Sequence, residues 1–365
     1  MLCPFHGRSL TLPPLKHRRG RVGMHICHVN LAGGFSGGER QTVNLIRELA
    51  KRGIQQTLVA RPGSRLWAEL ESIQSLGRRE TAHFLLGHGK GDWDLVHCHD
   101  GKSVYWAWIE SRLRKTPYVV TRRVDNPIGT GRLTSAAYGG ASTVACLSSA
   151  IESVVQQRLG CVDTVIIPSS FSGFPTAANA VEAIRQQYPA KRLVGQVGRL
   201  LKHKGYHITI EAARLLGNLR PDVQFIFLGE GPDEQWLKSQ AQGLPNVSFL
   251  GHKDNVGDWL ASLDVFVFPS LSEGLGSTIL EAMQHHVPVV GAKAGGIPDL
   301  ISDKTNGLLV SPGDPEALAS AIQFILDNPE QAAAFADAAQ AGLTAFSPAS
   351  VAERYLGLYS ATLQS

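Results

Sequence analysis

"DVFVFPSLSEGLGSTILEAM", residues 264–283, passes from one kind of structure to another within a few letters. The opening "DVFVFPS" is an unbroken apolar run rich in Val and Phe, which predicts a strand buried on both faces. "TILEAMQHH" has the apolar spacing of a helix. The link "LSEGLGS" therefore lies at the carboxyl end of a strand, where open parallel sheets bind their ligands. Gly276 lets a ligand approach the backbone, and the amides of Gly276, Ser277 and Thr278 form the positive end of a helix, a place for an anion. Glu273 precedes that helix and Glu281 lies inside it. Carboxylates accept hydrogen bonds from hydroxyls and repel phosphate, so the arrangement suits hydroxylated rings on either side of a diphosphate. The plainer reading is a turn glutamate and an exposed helix glutamate.

The same alternation continues in both directions. After a polar stretch from Ser169 to about Lys191 that contains Pro175 and Pro189, the chain runs "RLVGQVGRL", a helix from about Lys204 to Leu216, "VQFIFLG", "VSFLG", the quoted stretch, and "VPVVGA". Upstream, from Met24, come "MHICHVNL", a helix from about Gly38 to Lys51, "QQTLVA", "LVHCH" with a helix after it, "YVVT", "STVACL", "SSAIESVVQQRL" and "TVIIP". Short apolar runs alternating with helical periodicity predict parallel sheets with helices on both faces. The expected fold is α/β, two tandem Rossmann-like doubly wound domains facing across a cleft. The first is expected at residues 24–172 and the second at 173–348. The last helix, "PASVAERYLGLYSATL", has a pattern that fits either unit.

Size agrees, since 365 residues exceed what one core usually fills. No segment approaches the run of about 18 apolar residues that a membrane span needs. Cys3, Cys27, Cys98, Cys146 and Cys161 are odd in number and scattered, several inside strand-like runs, which suits buried free thiols in a reducing cytoplasm. Residues 1–23 hold Pro13, Pro14 and a basic run without an apolar core of signal-peptide length, and are expected to form a disordered extension. Residues 1–172 hold 22 Lys+Arg against 12 Asp+Glu, and residues 173–365 hold 13 against 19. The positive first half suits an anionic surface or substrate.

Other candidates sit at the same edge of the second unit. "GRLLKHKG" places Arg199 and Lys204 just after that unit's first strand, where two cations can neutralise a diphosphate. "FLGEGP" brings Glu230 between two glycines, and "SFLGHKDNV" brings Gly251 and His252. In the first unit, "VHCH" alternates as a strand, so His97 and His99 share a face and His99 stands at its carboxyl end. No Cys or carboxylate set near them has metal-ligand spacing.

From Met24 onward the sequence resembles a family 4 glycosyltransferase of the GT-B fold. The resemblance rests on "SGGER", "LVHCHDG", "CLSSAIESV", "VIIPSS", "VGRLLKHKG", "FLGEGP", "FLGHKDNV", "DVFVFPSLSEGLGSTILEAM", "VPVVGAKAGGIPDLI" and "NGLLVSPGDPEALASAI". It implies a nucleotide-sugar donor whose diphosphate is held by Arg199, Lys204 and the amides of Gly276, Ser277 and Thr278. By the same resemblance Glu273 lies by the transferred sugar, Glu281 on the ribose, and Glu230, Gly251 and His252 near the base. Gly37 and Gly38 match the family's glycine loop, and His99 the histidine near the reacting carbon. The implied outcome is retaining transfer without a metal or cofactor, and the final helix (with residues 349–365) is expected to cross back to the first domain.

Two departures stand out. Many relatives have a histidine where this chain has Arg122 and Arg123, and two arginines there suit a phosphorylated or carboxylated acceptor. "QHH" at Gln284 to His286 replaces a small residue and glycine. The expected activity is hexosyl or related transfer to a glycan or glycolipid acceptor, as in lipopolysaccharide biosynthesis. Trp106 and Trp108 beside Arg112, Arg114 and Lys115 raise a peripheral contact with an anionic membrane on the cytoplasmic face. The rival readings are a nucleotide-sugar epimerase on the same fold and a non-catalytic nucleotide-sugar-binding protein. A phosphorylase would need a cofactor-holding lysine motif that is absent. "GGFSGGER" lacks dinucleotide-loop spacing, and no aromatic-studded basic stripe points to nucleic acid.

Overall fold

The computed structural model describes residues 23–88, 91–160 and 162–364. Residues 1–22 of the expected extension 1–23, with Cys3, and also Cys161 lie outside them. The strands are β1 (His25–Asn30), β2 (Gln55–Ala60), β3 (Gly77–Glu80), β4 (Leu95–Cys98), β5 (Tyr118–Arg122), β6 (Thr143–Cys146) and β7 (Thr164–Ile166), then β8 (Arg192–Val197), β9 (Val223–Leu228), β10 (Val247–Gly251), β11 (Val265–Phe268), β12 (Val289–Ala292) and β13 (Leu308–Val310). They form two sheets, ordered β3-β2-β1-β4-β5-β6-β7 and β10-β9-β8-β11-β12-β13, every pairing parallel. The interior strands β4, β5 and β11 are buried along their whole length under helices on both faces, β11 as an apolar run and β4 and β5 with His97, Thr121 and Arg122 among their apolar residues.

Each sheet reverses its winding once, between β1 and β4 in the first unit and between β8 and β11 in the second. A crevice opens at the carboxyl ends of such strand pairs, because the helices that follow them leave on opposite faces. "SGGER" and His99 follow β1 and β4, while Arg199, Lys204 and the Glu273 loop follow β8 and β11. The geometry of winding thus assembles residues that lie far apart in the chain.

Strand β3, "GRRE", has no apolar run and pairs only with β2. Charge is tolerated there because β3 is an edge strand, and for the same reason periodicity does not reveal it. The final helix, Pro348–Gln364, settles on the first unit. Its Val351, Ala352, Tyr355, Leu356 and Tyr359 pack in one core with Met24, Ile26, Leu95, Val119 and Ala145. Cys27, Cys98 and Cys146 are buried free thiols, and burial pushes the Cys146 thiol up to about 12. Trp106, offered above as a membrane-interface residue, is instead fully buried. Its ring stacks on His88 at 4.8 Å and its Nε1 donates to the Leu86 carbonyl at 2.9 Å. The apolar side of a helix that covers a sheet is the first place a large aromatic ring is taken up.

The last helix is pinned by a polar contact as well as an apolar one, for the Tyr359 hydroxyl lies 2.7 Å from His97 Nδ1 at full burial. Tyr359→Phe leaves that nitrogen without its partner, and should cost about 1–3 kcal/mol. The expected result is a lower urea midpoint with an unchanged slope. An unchanged midpoint would show that the helix is not docked this way in solution.

Candidate functional site

In the second unit, Gly276 adopts φ +90° and starts the helix Ser277–Gln284. A side chain there would be strained and would crowd Phe268, so glycine is the residue that lets the chain turn from β11 into the helix. The first amides of the helix have no intrahelical acceptor. Lys204 ends a short 3-10 turn, Lys202–Lys204, and Gly205 follows at φ +75°, where a Cβ would overlap the Pro269 carbonyl. That close approach sets Lys204 beside the Glu273 loop, and Lys204 Nζ bonds Glu273 Oε2. Arg199 is exposed and, among the described residues, has no acidic partner. Leu200 N donates to Glu230 O at 3.1 Å and Gly229 N to Gly251 O at 2.8 Å, zipping the loops after β8, β9 and β10 into one rim. His252 N lies 3.4 Å from Glu230 Oε1, so Glu230, Gly251 and His252 do meet.

In the first unit the two arginines part company. Arg122 is 7% exposed, and its guanidinium bonds the Asn126 carbonyl, Asn126 Oδ1 at 3.1 Å and the Tyr138 hydroxyl at 3.4 Å. The acceptor role expected for Arg122 is therefore corrected: strand alternation turns it into the unit, where it anchors the following loop. Arg123 turns the other way. Its stem lies against Gly38, its Nη2 lies 3.4 Å from His99 Nδ1, and its Nε is buried without a partner. "SGGE" opens the helix Gly37–Lys51 with a capping box, Glu39 Oε2 accepting from Ser36 N and Oγ at 2.8 Å each.

The two halves touch through backbone. A Cβ on Gly274 would overlap the Arg123 carbonyl, and Ser148 Oγ donates to Gly274 O at 2.7 Å. Ser272 Oγ donates to Asp125 Oδ2 at 2.5 Å, and Ser149 bonds Asp299 through its N at 2.6 Å and its Oγ at 2.7 Å. Arg123 thus stands between the glycine loop of one unit and the glutamate loop of the other.

Glu281 differs from its expected setting. Its carboxylate is 3% exposed and accepts from Ser172 N at 2.5 Å and Gly173 N at 3.3 Å, both in the linker between the units. Burial raises its pKa, and the linker amides oppose that rise. The two glutamates are not a matched pair around one point: Glu273 meets a lysine and Glu281 meets backbone amides. At the "QHH" departure His286 takes φ 60° at the end of the same helix and its Nε2 lies 2.7 Å from Asp337 Oδ1 at the surface.

His99 is 3% exposed, with Nε2 at 3.0 Å from His28 Nδ1. His97 lies beside it with ring centroids 3.9 Å apart, bonded to the Tyr359 hydroxyl and to Thr121 Oγ1 at 2.6 Å. The sequence reading missed His28 and its partner Gln56, although β1 aligns His28 with His97 and alternation alone puts both on one face. The ligand atoms of His28, His97 and His99 lie within 4.8 Å of one another. Their ring nitrogens are taken up in hydrogen bonds to each other and to neutral groups, and the one turned outward meets the Arg123 cation. That set suits a hydrogen-bond chain better than an ion.

Comparison with known proteins gives the same outline. Residues 35–171 match the model of Glycosyltransferase Family 4, and residues 179–342 that of Glycosyl transferases group 1. The lipopolysaccharide core biosynthesis glycosyltransferase LpsE of Rhizobium meliloti is 30% identical over 317 residues, spanning 84% of this chain and 90% of the relative. The 2-deoxystreptamine N-acetyl-D-glucosaminyltransferase of Streptomyces fradiae is 31% identical, spanning 86% and 87%. Among solved structures, Anabaena HepE in complex with UDP and glucose superposes with a TM-score of 0.77 at 23% identity, over 93% of this chain and 100% of that one.

Burial holds all three histidines neutral, lowering His28 to about 3 and His97 and His99 well below the usual value. The unfolded chain binds protons near pH 6.5 that the folded chain refuses. Stability is therefore full above that pH and lost as pH falls, with up to about 1.4 kcal/mol per pH unit from each histidine. His28→Asn should make the fall in urea midpoint on acidification shallower by one proton's worth. An identical pH slope in the variant would count against the buried neutral His28.

Proposed function

The chain belongs to glycosyltransferase family 4, and from that membership we propose that it moves a sugar from a nucleoside diphosphate sugar to a hydroxyl of a glycan acceptor, with retention at the anomeric carbon. The observation that carries this reading is the meeting of Lys204, Glu273 and the start of the helix Ser277–Gln284 across a crevice from Arg123 and His99. In the proposed complex the diphosphate lies over the amides of Gly276, Ser277 and Thr278, with Arg199 and Lys204 on its oxygens. Glu273 accepts from hydroxyls of the transferred sugar. Glu281, which already accepts from Ser172, Gly173 and Phe174 of the linker, is assigned to the ribose side of the donor. Glu230, Gly251 and His252 border the base.

Breaking the bond from the anomeric carbon to the diphosphate builds negative charge on the leaving phosphate and positive charge on the ring. Arg199, Lys204 on leaving Glu273, and the helix amides answer the first, so no metal need be invoked for it. Among the residues assigned to the cleft, none is placed as a covalent nucleophile. The proposed course is attack from the leaving-group side, with the departing phosphate oxygen taking the acceptor proton. Arg123 remains as the cation for a phosphate or carboxylate on the acceptor. The relative LpsE is named for lipopolysaccharide core biosynthesis, and an anionic envelope glycan is the acceptor class we assign.

Among the described residues no helix is long and apolar enough to cross a membrane. The proposed membrane contact moves from the tryptophans to the loop at residues 83–88, which lies along the helix Gly101–Arg114. Leu85 and Leu86 in that loop are 58% and 61% exposed, and on the helix Leu113, between Arg112 and Arg114 in sequence, is 66% exposed. Such a surface suits the cytoplasmic leaflet of an anionic bilayer.

Lys204→Ala should lower turnover by about 10²- to 10³-fold and weaken donor binding. Near-normal kinetics would remove the phosphate assignment. UDP-, GDP- and ADP-sugars should be screened by thermal shift, because only a ligand of the folded chain raises its melting point, and HepE makes UDP the first to try. Leu85→Asp with Leu86→Asp should abolish flotation with anionic vesicles, and flotation unchanged by these substitutions would place any membrane contact elsewhere.

A further inference from the structure

His28 and Gln56 play no part in the chemistry above, yet they lie buried behind His99 and are bonded to it in a row. The row begins at the carbonyl of Ile46, which can only accept. Gln56 Nε2 donates to it at 3.1 Å, and this fixes which way the amide is turned. Gln56 Oε1 then accepts from His28 Nε2 at 3.0 Å, so the His28 proton is on Nε2. The ring is neutral, which leaves Nδ1 bare to accept from His99 Nε2 at 3.0 Å. His99 is neutral as well, and its remaining nitrogen, Nδ1, carries a lone pair. That nitrogen lies 3.4 Å from Arg123 Nη2, a group that only donates. Reversing the row would set an amide oxygen against the Ile46 carbonyl at one end and an N–H against the Arg123 guanidinium at the other. Both ends enforce one direction.

We infer that Gln56 and His28 are positioning residues that hold His99 with its proton on Nε2 and its Nδ1 lone pair at the cleft, where it pairs with Arg123 to receive one hydroxyl of a bound sugar. A hydroxyl both accepts and donates, and Arg123 Nη–H beside His99 Nδ1 offers one donor and one acceptor, its complement. The long 3.4 Å contact leaves both groups open to exchange each other for that ligand. This inference rests on the transfer reading for the identity of the ligand, and on the described chain alone for the tautomer.

The tautomer is read on the full chain without substrate, by long-range proton–nitrogen correlation of the protein labelled with ¹⁵N-histidine, the signals assigned with His28→Asn and His99→Asn. Both His28 and His99 should carry the proton on Nε2. A proton on Nδ1 of either ring would overturn the proposal, and this measurement decides even if a Gln56 variant fails to fold. Gln56→Met should mix the His99 tautomers and lower turnover about tenfold, one neutral hydrogen bond's worth, at unchanged donor KM. Gln56→Glu should restore both, since a buried glutamic acid stays protonated and can donate to Ile46 while accepting from His28. Equal loss in the two variants with the tautomer unmoved would also overturn it. Failure of donor binding in the wild type would strike the transfer reading instead and leave the tautomer result standing.

Discussion

Gly274 fits against the carbonyl of Arg123 with no room for a side-chain carbon, and the cleft depends on that contact. Two sheets joined by a linker have many ways to sit, but a backbone-to-backbone approach backed by Ser148 on the Gly274 carbonyl admits few. It brings the loop after β11 against the loop after β5. Once those are in register, the other loops at the carboxyl edges follow, because each is zipped to its neighbour by backbone bonds. The same residue that supplies this carbonyl sends its side chain between Gly38 and His99. Arg123 therefore couples the spacing of the units to the charge placed between them.

The electrostatics of the two walls differ in kind. The wall formed by the second unit is ionic, with Lys204 on Glu273 and Arg199 exposed. Such groups are reorganised easily by a ligand, and a lysine can leave one carboxylate for a diphosphate because the bond is near water on both sides. Glu281 is the exception. A carboxylate at 3% exposure needs its amide partners, so replacing it would loosen the linker as well as any contact beyond it. Ligand affinity and unit spacing are for that reason not separable at Glu281 by substitution alone.

Much of this was legible from sequence, and for a physical reason. Interior parallel strands are buried on both faces and are mostly apolar, so β11 announces itself, and a glycine such as Gly276 marks a forced turn at its carboxyl end. The edge strand β3 obeys no such demand and stayed hidden. Direction of side chains was harder. Adjacent arginines look alike in a sequence, and with β5 buried on both faces alternation puts Arg122 and Arg123 on opposite faces without telling which one meets the cleft. Trp106 looked like a surface aromatic because it sits near basic residues, while the helix places it a turn away on the buried face. His28 and Gln56 carry their meaning only in pairs across β1, β2 and β4, which no single segment displays.

The wall formed by the first unit is built differently, from one cation, Arg123, beside neutral histidines whose direction is fixed. A sugar hydroxyl carries no charge to draw it in, so an ionic wall would hold water more tightly than it held the sugar. An imidazole whose proton is set by a buried carbonyl several groups away does not have to choose a tautomer when the ligand arrives, and that choice would otherwise cost binding energy. Buried histidines held neutral are costly as pH falls, and a chain that needed only packing at these positions could fill them with apolar residues. Their retention as a hydrogen-bonded row ending at the cleft follows if the row serves the group at its open end. The two walls of the crevice thus differ, an ionic one on the side of β8 and β11 and, Arg123 apart, a neutral hydrogen-bonded one on the side of β1 and β4.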